Sequence, residues 1–267
     1  MTTRKCSIVN KLVPNLLDKR NDVMHYKNLK QAIFAGLILR KVHRVLKFTQ
    51  SHWMANYINL NTKRRAIATT EFEKNFFKLM NNSVFGKTMQ NVRRRVLLEI
   101  VNDINRRNKL VSDDGFGSMK IFNENLAAIQ RRKTNLKLNK PIYVGAAVLD
   151  ISKWLIYDFH YNFTKNMWPD SKLLFTDRDY LVFKIKCENV YQDIYDNKDL
   201  FDLSDYPTFS GFHDNSIKKV IGKMKDELMF VPVRKFVGLR SKMYAVIIDD
   251  NKLTKKAEGI PRGYVER

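Results

Sequence analysis

The stretch Leu174-Phe175-Thr176-Asp177-Arg178-Asp179-Tyr180-Leu181-Val182-Phe183 constrains this chain more than any other. Apolar and aromatic residues flank two carboxylates set two apart. That pattern predicts an antiparallel hairpin whose second strand covers 180–185. In extended chain, residues two apart share a face, so Asp177 and Asp179 would point the same way. Two carboxylates on one face of an apolar hairpin can hold a divalent metal; a surface hairpin that merely carries two acids is the other reading. The chain around them has 49 Lys and Arg against 27 Asp and Glu, a net charge of +22. Metal-held carboxylates inside so basic a protein point to chemistry on phosphates.

The charge says nothing about fold but argues for a polyanionic partner, nucleic acid first and an acidic membrane surface second. The basic residues interleave with Phe72, Phe76, Phe77, Phe85, Tyr143, Trp154 and Tyr157, the composition of a surface that grips backbone phosphate and stacks on bases. A basic, merely soluble protein remains the alternative. Cys6 and Cys187 are far apart, and His25, His43, His52, His160 and His213 form no ligand-like spacing, so neither a disulfide framework nor a zinc site is implied. No leader and no apolar run of ~20 residues is seen, so an intracellular protein with no membrane partner is expected.

Along the chain, 1–27 reads as an irregular connection with a strand-like patch at 22–26. A helix is expected over 28–48, where Leu29, Ile33, Leu37, Val42, Val45 and Leu46 make an apolar stripe. Residues 50–70 read as connection carrying Lys63-Arg64-Arg65. A second helix is expected over 70–90, with Thr70 as N-cap, Glu71 and Glu73 in its first turn, and Gly86 weakening its end. Short strands and polar links fill 93–140. Residues 112–117 form a turn and not a phosphate loop, since no GK[ST] follows. A helix over 145–167 leads to the acidic hairpin. Residues 190–230 read as a polar connection ending in a Lys-rich helix at 216–227. Residues 235–249 read as one strand with Arg240-Ser241-Lys242-Met243-Tyr244 at its centre. The fold class is therefore α+β, in four stretches: 1–27, 28–92, 93–190 and 191–267.

Lys78-Leu79-Met80-Asn81-Asn82-Ser83-Val84-Phe85-Gly86 is the strongest local signal. At helical spacing Lys78, Asn82 and Phe85 line one face. A Lys can grip a triphosphate, an Asn can bond a sugar or base edge, an aromatic can pack on a base pair, and Gly lets a duplex approach the backbone. A helix with one basic stripe is the plainer alternative.

This segment resembles motif B of family-B DNA polymerases, Kx3NSxYG, with Phe85 in place of the usual Tyr. Thr176-Asp177-Arg178-Asp179-Tyr180 follows where motif C, YxDTDS, stands on the palm hairpin of that family. Both acids are kept, with Arg178 for the intervening Thr, Tyr180 for the Ser, and Lys184 on the next strand. Lys242-Met243-Tyr244 is similar to the later KxY motif. Segments 10–16, 22–26, 76–87, 139–145, 157–161 and 236–240 look like the organellar and viral branch that uses protein priming, so the resemblance covers nearly the whole chain. It implies a partial polymerase palm, helical fingers and the start of a thumb. It also implies DNA and dNTP as partners, a terminal priming protein as a candidate third, and a two-metal Mg²⁺ site. By the same resemblance Asp179 is the main metal ligand and Asp177 the supporting one. Lys78, Asn82, Phe85 and Gly86 would contact the nucleotide, and Ser83, Arg240, Lys242 and Tyr244 the primer.

The family also needs a third acidic element, motif A (DxxSLYP), to face the other carboxylates across the metals. No such segment is found. Asp150-Ile151-Ser152-Lys153 begins similarly but lies between motifs B and C and reads as helix. Impaired nucleotidyl transfer is therefore expected. A non-catalytic, basic nucleic-acid-binding protein derived from a viral or mobile-element polymerase is the alternative.

Overall fold

The computed structural model describes residues 17–177, 180–240, 242–248 and 253–257, with Ile260 and Gly263. Helices and antiparallel sheets are mixed, as an α+β fold requires.

Helix α1 (Tyr26–Phe34) begins at His25 and is stopped by Gly36. Gly36 has φ +97°, a conformation that glycine alone enters freely. Its N–H reaches Ile33 O at 3.0 Å, and the Leu37 N–H reaches Ala32 O at 3.0 Å. That pair of bonds satisfies the last carbonyls and turns the chain away. The expected helix over 28–48 is thus cut at its middle, and 37–52 has no regular structure. The patch at 22–26 forms no strand; Tyr26 already starts the helix.

Helix α2 (Ala55–Ile67) occupies the stretch expected to be connection. Its inward side is polar, which explains the missing apolar signal. Asn61 is buried, Thr62 Oγ1 accepts from Asn81 Nδ2 at 3.3 Å, and the Tyr57 hydroxyl donates to Met80 O at 3.3 Å. Helix α3 (Glu71–Thr88) agrees with its sequence. Thr70 Oγ1 accepts the Glu73 N–H at 3.2 Å, and Glu71 and Glu73 sit at the positive end of the helix. The helix runs two residues past Gly86 rather than fraying there.

Strands β1 (Val96–Val101), β2 (Phe116–Asn123) and β3 (Leu126–Arg132) form an antiparallel sheet in the order β1-β3-β2. Helix α4 (Ile104–Val111), capped by Asp103, closes one face over a small core of Val101, Leu110 and Ile129. Residues 112–115 turn into β2, as expected.

Helix α5 (Ile142–Asp158) continues without a break through a π-helical segment (Phe159–Thr164) into α6 (Lys165–Met167). This long helix organises the molecule. Helix α1 lies along it: His25 N–H donates to Asp150 Oδ2 at 2.6 Å, Asn28 Nδ2 to Asp150 O at 2.8 Å, and Gln31 Nε2 to Trp154 O at 3.2 Å. The end of α3 crosses it at Gly145. A Cβ built there would lie 2.2 Å from Met89 Cγ and 2.8 Å from Thr88 Oγ1, so only glycine allows the approach.

The hairpin is β4 (Lys172–Thr176) and β5 (Leu181–Lys184). Helix α7 (Val190–Asp196) follows it. A last sheet, β6 (Val233–Arg240), β7 (Met243–Ile248) and β8 (Leu253–Ala257), runs in chain order, all antiparallel.

Two expectations fail over 190–230. The stretch 190–230 is not merely polar: Ile194, Phe201, Leu203 and Tyr206 join Trp168 in the larger core cluster. And 216–227 is not a helix but a run of turns. Its backbone is bonded elsewhere: Lys219 N–H to Asp202 Oδ2 at 2.7 Å, and Met224 N–H to Leu200 O at 2.9 Å. Lys219 and Gly222 both take positive φ, which breaks any helical run.

Candidate nucleic-acid and nucleotide site

Helix α3 presents the first set of residues. Lys78, Asn82 and Gly86 are exposed, and Phe85 is half-buried on the same helix. A Cβ on Gly86 would meet nothing within 4 Å, so the backbone there is open to approach. Ser83 is different: its hydroxyl donates to Met80 O at 2.8 Å, within the helix. The helix is fixed from behind by α2 and, at Gly145, by α5.

The acidic hairpin makes the second set. The Asp177 N–H donates to Tyr180 O at 3.0 Å, closing the turn, and the Asp177 side chain is half-buried. Arg178 and Asp179 lie outside the described residues. Lys172 and Lys184 pair across the hairpin's far end.

The C-terminal sheet makes the third, and it departs from the single strand expected over 235–249. Between β6 and β7, Lys242 lies in a turn at φ +59°. It therefore does not share a strand face with Tyr244, which the two-residue spacing alone implies. Arg240 ends β6, with its side chain outside the described atoms, as is Ser241 altogether.

Second and third sets meet through aromatic rings. Phe175 lies 5.2 Å from Tyr244 and 6.1 Å from Phe236, centroid to centroid, and it stacks on Tyr180 at 5.8 Å. Tyr180 meets Tyr244 edge-on at 6.4 Å. Gly238 makes room for this cluster: a Cβ there would fall 3.1 Å from Phe236 Cε1 and 3.8 Å from Phe175 Cδ2. The hairpin is held on its other side by His160 of the π segment, which stacks on Phe183 at 5.6 Å.

The two halves of the candidate site are thus linked through the long helix, α3 resting on its beginning and the hairpin on its end. No hydrogen bond or ring contact among the described residues joins Lys78, Asn82 or Phe85 directly to the hairpin. Asp150 is tied to α1 through His25 and Asn28.

For Mg²⁺, the described residues place one expected donor, Asp177. No group of three His, Cys, Asp or Glu gathers among them to hold a metal. By themselves they do not make a Mg²⁺ site. No described helix is long and apolar enough to cross a membrane.

Sequence reasoning missed Phe236, Gly238 and Lys256 at the ring cluster. Phe236 and Gly238 alternate along β6, and Lys256 stands directly across from Tyr244. The alternation was readable; the pairing of strands that puts them at Tyr244 was not.

No family model, curated protein or solved structure matches this chain.

Proposed function

We propose that this chain is a palm-and-fingers portion of a protein-primed, family-B type DNA polymerase, binding DNA and a deoxynucleoside triphosphate. One observation carries the reading. The acidic hairpin and Tyr244 are more than sixty residues apart in sequence, yet Phe175 and Tyr180 pack against the Tyr244 ring. Two motifs recognised separately in the sequence become neighbours in space. The open face of α3, with Lys78, Asn82 and Phe85 in line, supports it independently.

In this reading Lys78 meets the triphosphate, Asn82 and Phe85 meet the nascent base pair, and the Tyr244 ring packs against the primer end. Asp177 and Asp179 supply carboxylates for Mg²⁺, which in such a site would stabilise the oxyanions of phosphoryl transfer. The third carboxylate that the resemblance calls for has no counterpart in the sequence, and nucleotidyl transfer by this chain alone is expected to be weak or absent.

The test is binding of primer–template DNA with and without a matching dNTP and Mg²⁺. The reading expects affinity to rise with both and Lys78→Ala to abolish the rise. Affinity that is steeply salt-dependent but indifferent to dNTP would instead favour a basic nucleic-acid-binding protein without nucleotide chemistry. That second reading draws on the lack of any three-ligand cluster among the described residues. Robust primer extension lost in Asp179→Ala would overturn the expectation of impaired transfer.

A further inference from the structure

We propose that Lys256 is a phosphate contact of its own, forming with Tyr244 and Tyr180 a clamp for one nucleic-acid strand; this rests on the DNA-binding part of the reading above. Strand β8 pairs with β7 so that Lys256 faces Tyr244 directly. Its ammonium sits 6.0 Å from the ring centroid of Tyr244 and 6.0 Å from that of Tyr180. The two rings hold the charge at the junction between hairpin and sheet. Lys256 is nevertheless exposed, and its ammonium makes no ion pair among the described residues.

A cation positioned by rings, with no ion pair among the described residues, is suited to an external anion. The half-buried rings beside it offer flat apolar area at the same place. That combination, a cation for the backbone and aromatic faces for bases or sugars, is what a single strand takes. A plain anion would use the ammonium but not the rings. Lys255, next along the strand, points to the opposite face of the sheet and pairs with Ala245, so it is a built-in control of equal charge.

The experiment is fluorescence anisotropy of the full chain with a labelled oligothymidylate across a salt series, without dNTP or Mg²⁺. Lys256→Ala should weaken binding and lower the slope of log affinity against log salt by about 0.7, one phosphate's worth. Lys256→Gln, which keeps half of the aliphatic stem and removes the charge, should lower it equally. Lys256→Arg should keep the slope and Lys255→Ala should leave it unchanged. Tyr244→Leu should weaken binding about tenfold at unchanged slope. The proposal is overturned if Lys255→Ala and Lys256→Ala lower the slope alike, or if Lys256→Ala leaves it intact. A chain that ignores dNTP yet loses its slope only at Lys256 would keep this clamp and lose the polymerase reading.

Discussion

At Gly145 the absence of a side chain sets the position of a whole helix. The Cβ of an alanine there would overlap Met89 and crowd the buried Thr88 hydroxyl. Gly145→Ala should therefore push α3 away from α5 and cost about 1–3 kcal/mol. A drop in the thermal midpoint checks it, and nucleotide-dependent DNA binding should fall with it. Thr70→Ala, which removes the α3 cap, should cost about 1 kcal/mol without moving the helix axis. Single residues whose role is local were legible in the sequence: Thr70 with Glu73 three positions on needs no tertiary information. Lys242 was not. Its face depends on whether Lys242 is strand or turn, and that is decided by β6 pairing with β7.

Among elements, the same contrast holds. Helix α3 was readable because period and cap agree, and the long helix and the acidic hairpin because their apolar residues alone mark them. The break of α1 was also written in the sequence, as a glycine in mid-pattern, but the apolar stripe on both sides outweighed it. Gly36→Ala should remove the stop. Beyond Gly36 the sequence keeps a helical pattern, and α1 would then supply the costly first turn. Far-UV circular dichroism should gain helical signal; no gain would mean that 37–48 lacks the propensity its pattern suggests. Helix α2 and the turns at 216–227 were illegible for another reason: polar side chains and backbone groups, not apolar burial, fix them.

The contact between π segment and hairpin adds a pH dependence. His160 is 9% exposed, and burial, aided by the charge of Lys165, holds its pKa below the ordinary 6.5. The folded chain thus prefers the neutral ring. This contribution to stability is full above the unfolded pKa and is lost as pH falls through the folded one. Urea midpoints should decline between pH 8 and pH 5.5, and His160→Phe, which keeps a ring against Phe183, should flatten that step. Asp113 and Asp205, whose carboxyls are lowered chiefly by hydrogen bonds from Arg131 and Lys225, act in a separate, more acidic window.

For the molecule as a whole, surface is the telling quantity. The described residues leave many large apolar side chains in the open, Ile38 (84% exposed), Val45 (76%), Leu46 (70%), Leu98 (67%), Ile100 (67%) and Leu239 (74%) among them. Unfolding can uncover only what folding has hidden. The urea m-value should therefore fall well below that of a compact domain of this length, and the native chain should bind the dye ANS. A steep transition with no dye binding would contradict this.

The π-helical segment also makes the chain sensitive to its exact count of residues. It is a wider turn set inside an otherwise α-helical rod, the geometry left by one residue too many. Removing one residue between 159 and 164 would let the turn relax to ordinary pitch while everything beyond it kept its phase. The same deletion in the regular part of α5 has no wide turn to absorb it, and would rotate everything beyond by about 100°. The hairpin carrying Asp177 would turn with the helix, together with Trp168 and the Asp193 that its indole N–H bonds at 2.7 Å. One missing residue would thus leave the two halves of the site aligned inside the π segment and put them out of phase a few residues earlier.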